Sequence, residues 1–83
     1  MDAPELYYAS QTQTIYWLPV SGADFYLVSH STNGTNWNDN WWGGSVTTID
    51  ISDLPAGTHY FRGMSKSHQG GSSPFGNTLE VTL

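Results

Sequence analysis

The chain has no cysteine and, among its 83 residues, only two cationic side chains, Arg62 and Lys66. Without cysteine no disulfide can staple the fold and no thiolate can ligate a metal. With Arg62 and Lys66 facing seven carboxylates, the formal charge is −5, so a polyanion is repelled. Nucleic acid and anionic membrane are therefore poor partners. No apolar run approaches the length needed to span a bilayer, and no signal-peptide pattern is visible. Helical periodicity is also missing: apolar residues at 3.6-residue spacing never persist for three turns.

Aromatic residues are plentiful: four Trp, five Tyr and three Phe. A chain this short buries only roughly 60–65% of its unfolded surface. Each large ring contributes on the order of 150–250 Å², enough for one core without cross-links. The length is that of a single domain over 1–83, with no internal repeat, linker or charge block. The Met1–Asp2–Ala3–Pro4 start leads to the expectation of a module cut from a longer chain, with Met1 added. The Ser, Thr, Asn and Gly content suits extracellular, cell-surface or virion proteins.

Strand alternation replaces helical patterning. Leu6 and Tyr8 share a face; Ile15 and Trp17 share one, opposite Thr14, Tyr16 and Leu18. Ile49 and Ile51 alternate with Thr48 and Asp50, and Leu79, Val81 and Leu83 with Thr78, Glu80 and Thr82. Gly, Pro, Asn, Asp and Ser clusters separate these runs at intervals of about 8–12 residues, the rhythm of a sandwich or barrel. Seven strands are predicted, over 5–9, 13–18, 24–31, 36–42, 46–52, 59–66 and 77–82. Thr32–Asn33–Gly34 supplies the hairpin turn between the third and fourth, because Asn and Gly tolerate positive φ. Pro4 and Pro19 lie at strand margins, where a missing N–H costs little.

The landmarks fall in a characteristic order. Pro4 precedes Trp17 and Pro19; Ala23 leads into Tyr26 and Val28; a Ser–Thr–Asn–Gly–Thr–Asn–Trp stretch ends at Trp37. Leu54 precedes Gly57–Thr58, and Gly71–Ser72–Ser73–Pro74 precedes the last strand. In this order and spacing the whole chain resembles a fibronectin type III domain, in its bacterial and phage form. The resemblance implies an all-β, immunoglobulin-like antiparallel sandwich of seven strands in two sheets.

Two departures follow. Gly63 stands where the sixth strand of the family carries an apolar residue, and it would make room for a ring, with Trp17 the candidate. Register in that strand has two solutions. Spacing from Leu54 puts Tyr60 at the family's tyrosine corner; matching Phe61–Arg62 to the family's Phe–Arg pair points Phe61 inward. The second is preferred, because the first turns Arg62 and Lys66 toward the core, where unpaired charge is costly. The integrin-binding tripeptide of some members is missing from Lys66–Ser73, so that activity does not carry over.

Catalytic and metal chemistry find little support. His30, His59 and His68 lack metal-ligand spacing, and a hydrolase would need a braced imidazole and an oxyanion hole. Asp50 and Asp53 do not read as an acid pair flanking a cleft. Asn36, Asn38 and Asn40 with Asp39 offer too little charge for tight Ca²⁺ binding. Asn33–Gly34–Thr35 fits a glycosylation sequon, but the tight-turn reading is preferred because it needs no eukaryotic host. No enzymatic activity and no cofactor are expected.

The aromatic residues carry the functional expectation. Trp41 and Trp42 are adjacent, so in a regular strand they point to opposite faces and one should reach the surface. Phe25 and Leu27 alternate with the inward Tyr26 and Val28, and Tyr60, Arg62 and Met64 share that outer face. Trp41, Trp42, Phe25, Leu27, Tyr60 and Arg62 are thus the candidate contact face. It either forms a small core of its own under the fourth strand or docks a partner. The expected function is a non-catalytic spacer and protein-interaction module, binding neighbouring domains or another protein. The alternative is a carbohydrate-binding accessory module of a secreted bacterial hydrolase or adhesin, since exposed Trp beside Asn and Asp stacks on sugars.

Overall fold

The computed structural model describes all residues 1–83. All seven expected strands form, and there is no helix: β1 Tyr7–Ala9, β2 Thr14–Tyr16, β3 Phe25–Ser31, β4 Asn38–Gly44, β5 Thr48–Asp50, β6 Thr58–Lys66 and β7 Leu79–Thr82. They assemble as a sandwich of two antiparallel sheets, one ordered β1-β2-β5 and the other β4-β3-β6-β7. Most strands are shorter than the alternation suggested, because pairing stops where the chain bends between sheets.

The inner faces carry the residues that the period-two pattern selects. Leu6, Ile15, Trp17, Ile49 and Ile51 come from the smaller sheet and its flanks, and Tyr26, Val28, Phe61 and Val81 from the larger. Phe61, Val28 and Ile15 are wholly buried. In β6, exposure alternates strictly from buried His59 through half-buried Tyr60 to buried Phe61, and onward through Ser65. Phe61 therefore faces inward and Arg62 outward, as expected. Gly63, however, does not accommodate Trp17. A Cβ built there would lie 3.3 Å from Pro4 and 3.6 Å from Leu6. The missing side chain admits the segment leading into β1, while Trp17 packs edge-on to Tyr26 and Trp42 at centroid distances of 5.4 and 5.5 Å.

The β3–β4 connection is longer than a two-residue hairpin. Ser31 Oγ accepts from the Asn33 and Gly34 amides, and Asn33 Oδ1 accepts from those of Thr35 and Asn36. Side chains thus satisfy the turn's backbone donors, and Gly34 takes the positive φ, 75°. At the opposite margin the Asn77 amide accepts from Leu6 N–H and donates to Leu6 C=O, at 2.9 and 3.1 Å. Residues 71 positions apart are joined in this way, and the chain's two ends close on each other.

Phe61→Ala removes a fully buried ring at the centre of this core. It is expected to destabilise the fold by about 3–5 kcal/mol, read as a lowered midpoint in urea unfolding.

Candidate functional site

β4 departs from regular pairing, and that departure decides where the tryptophans go. Val28 pairs with Trp42, but two residues further along β3, His30 pairs with Asn38. Two residues of β3 are thus matched by four of β4, a bulge that carries two extra residues. A bulge breaks the alternation of faces. Trp42 faces Trp17 in the core, and Trp41, one residue away, also turns inward, against His30 and Phe61, each at 5.3 Å. The expectation that one of this pair reaches the surface is therefore corrected: both are half-buried and pack against the core. Gly44 makes room for the turned-in ring, since a Cβ there would meet Trp42 at 3.0 Å.

The outer face of the larger sheet holds Phe25, Leu27, Tyr60 and Arg62, as expected, but each is half-buried. His68 stacks on Phe25 at 5.3 Å, and Leu27 lies opposite Met64 and beside Gly43. The Arg62 guanidinium lies between the rings of Trp37 and Phe75, 4.2 and 4.0 Å from their centroids. Asp39 stands 3.7 Å from Arg62 and accepts a 2.8 Å bond from Ser29 Oγ. Trp37, not Trp41 or Trp42, is therefore the outer-face tryptophan. These residues pack into a half-buried layer with Trp37, Phe75 and His68. The Glu80 carboxylate opposite Tyr60 pushes its hydroxyl pKa up.

A histidine pair lies on the inner side. His59 is buried, and its Nε2 is 2.8 Å from Pro55 O. A carbonyl only accepts, so Nε2 carries the proton and Nδ1 is left as an acceptor. His30 Nε2, 2.8 Å away, must then donate to it. The pair runs His30 to His59 to Pro55 and ties β3 and β6 to the β5–β6 turn. Burial, and secondarily the proximity of His59, hold the His30 pKa below its ordinary value. The groups packed on the pair are Trp41 of β4 and Phe61 of β6, with Asn38 at the paired position; no carboxylate bonds to either ring. The arrangement braces a turn, and no nucleophile or metal ligand set accompanies it. No group of three or more His, Asp or Glu side chains is placed to hold a metal ion.

The exposed apolar surface lies on the other sheet. Four of the five large hydrophobic residues that remain exposed are Tyr7, Tyr16, Leu18 and Val46. Tyr7 and Tyr16 are cross-strand partners, stacked at 5.4 Å with planes 26° apart. Tyr16 pairs onward with Thr48, and the Trp17 N–H to Thr47 C=O bond carries the register one step further. Tyr7 donates to Glu5 at 2.8 Å, and this bond raises its pKa. Beside Tyr7 runs a shallow groove of about 220 Å³, lined by Asp2, Ala3, Glu5 and Tyr7 on one side and Leu18–Ser21 on the other. The sequence signal for this face was the placement of Tyr16 and Leu18 opposite Ile15 and Trp17. Nothing local distinguished that outer face from the one that turned out to be covered.

Comparison of the chain with protein-family models, with curated proteins and with solved structures finds no match.

Two expectations follow. Because the His30 pKa is depressed, the folded chain binds fewer protons than the unfolded chain near pH 6. Stability therefore falls as pH drops from about 7.5 through the unfolded-state value near 6.5. Urea midpoints should decrease over that interval, with a shallower dependence in His30→Gln. Separately, Arg62→Lys loses the planar stack between Trp37 and Phe75 and should cost about 1 kcal/mol, measured by the same unfolding experiment.

Proposed function

We propose that the chain is an immunoglobulin-like sandwich of the fibronectin type III kind, and that it serves as a non-catalytic protein-interaction module. For the fold, the chain crosses from one sheet to the other between β2 and β3, and β4 stays beside β3 rather than joining the smaller sheet as in an immunoglobulin constant domain. The His59–Pro55 bond also supports the reading. A side chain near the start of β6 bonds back to backbone four residues upstream, the role a tyrosine corner plays in such sandwiches. Here a histidine two residues before the inward Phe61 takes that role, and Tyr60 points outward.

The observation that carries the function is the outer face of β1-β2-β5. Tyr7 and Tyr16 stack there, and Leu18, just past β2, and Val46, just before β5, are exposed as well, Leu18 at 71%. Isolated exposed apolar residues are ordinary; their collection on one face of a small sheet is the mark of a contact surface. Tyrosine is favoured at such contacts because it joins a large rigid apolar area to a hydrogen-bonding tip. The contact face of this proposal is therefore the smaller sheet, in place of the Trp41–Trp42 surface. The setting is an extracellular, cell-surface or virion assembly, in keeping with the cysteine-free, Ser/Thr/Asn/Gly-rich composition. A second reading rests on the same residues: the Tyr7–Tyr16 pair beside Glu5 would also stack on a sugar ring.

The test is photo-crosslinking in extracts of the native source. A photoreactive phenylalanine analogue in place of Tyr16 is expected to trap polypeptide, and the same residue in place of Tyr60, on the opposite sheet, is not. Trapping of polysaccharide alone favours the glycan reading. Equal trapping from both positions, or none from position 16, overturns the proposal.

A further inference from the structure

Building on the proposed interaction face, we infer that its partner is an extended polypeptide segment bearing a cationic side chain, preferentially arginine, seated in the groove between Tyr7 and Leu18. The first argument is charge. Glu5 and Asp2 line the groove, and Asp50 is exposed on the same sheet, opposite Thr14. Both cationic side chains of the protein, Arg62 and Lys66, belong to β6 of the other sheet. Carboxylates thus line the groove, and no cationic side chain lies on this sheet to neutralise them.

The second argument is shape and chemistry. The groove lining combines an aromatic ring, Tyr7, aliphatic side chains, Leu18, Pro19 and Val20, and two carboxylates, Asp2 and Glu5. A long cationic side chain meets both demands: its methylene stem lies along the apolar side chains while its head reaches the carboxylates. Arginine adds stacking on the tyrosine face and a two-pronged bond to Glu5 or Asp2. A neutral apolar side chain would fill the groove and leave the charge of Asp2 and Glu5 without a counter-charge.

The molecule uses the same chemistry within itself. On the opposite sheet Arg62 is clasped between the rings of Trp37 and Phe75, with Asp39 at 3.7 Å. Around Tyr7, Tyr16 and Glu5 the ring pair and the carboxylate are present, and the cation has to come from outside.

The probe is a library of random dodecapeptides, panned in parallel on the whole 83-residue domain and on a Tyr7→Ala/Tyr16→Ala variant shown by its melting curve to be folded. The expected result is enrichment, on the unmodified domain only, of peptides carrying Arg or Lys among apolar residues. Their affinity should weaken about fivefold in Asp2→Asn/Glu5→Gln, which leaves both rings in place, and fall with added salt. Should the tyrosine variant fail to fold, the Asp2→Asn/Glu5→Gln comparison decides alone. Tyrosine-dependent enrichment of uncharged or acidic peptides overturns the cationic partner and leaves the interaction face standing. Enrichment that ignores the tyrosines, or none at all, overturns both. Protection of Tyr7 and Tyr16 by a soluble polysaccharide, with no peptide selected, assigns the face to a glycan instead.

Discussion

Ring-to-ring packing in the core, between the sheets and within the larger one, is the interaction on which the rest of the structure depends. With no disulfide and only 83 residues, the sandwich must gain its cohesion from large buried side chains. Trp17, from the end of β2, reaches across to Tyr26 and Trp42; Phe61 of β6 meets Trp41 and His30. These two clusters fill opposite ends of the same inner layer. The bulge in β4 is what allows both to form, because a regular strand would send Trp41 to the outside. A local break in the ladder is in this case the condition for a complete core.

Moving both tryptophans inward has consequences for the surface. The outer face of the larger sheet loses the exposed ring that alternation assigns to it, and Trp37 takes its place as part of a layer with Arg62 and Phe75. The buried Ser29 and Ser31 lie on this same face, the first bonded to Asp39 and the second to the turn amides. A face so covered has little left to offer a partner. The smaller sheet has no equivalent cover. Tyr7 and Tyr16 of its short strands, and Leu18 and Val46 just beyond them, remain exposed.

The histidine pair shows how a polar element is tolerated inside so small a core. Buried His59 has both ring nitrogens bonded, one to Pro55 and one to His30, so its burial leaves no orphaned donor. The arrangement fixes the turn between β5 and β6 and, through the His30 stack, the inward position of Trp41. Turn, bulge and core are therefore linked through a single hydrogen-bond chain, and the lowered pKa of His30 within it is the source of the expected loss of stability toward acid.

The fold class, the seven strands and the inward positions of Ile15, Trp17, Tyr26, Val28 and Phe61 were legible in the sequence, because period-two burial is a local property that each strand declares for itself. The cost of burying Arg62 and Lys66 was enough to choose the register of β6. The destination of Trp41 and Trp42, the segment admitted by Gly63, the pairing of His30 with His59 and the choice of exposed face were decided only by the tertiary structure. Each depends on residues far apart in the chain: Trp41 on β3 pairing, Gly63 on Pro4 and Leu6, His59 on His30, the Tyr7–Tyr16 stack on β1 meeting β2. Alternation assigns a side chain to one of two faces. Which face is then covered is set by what the rest of the chain brings to it, and no local pattern encodes that.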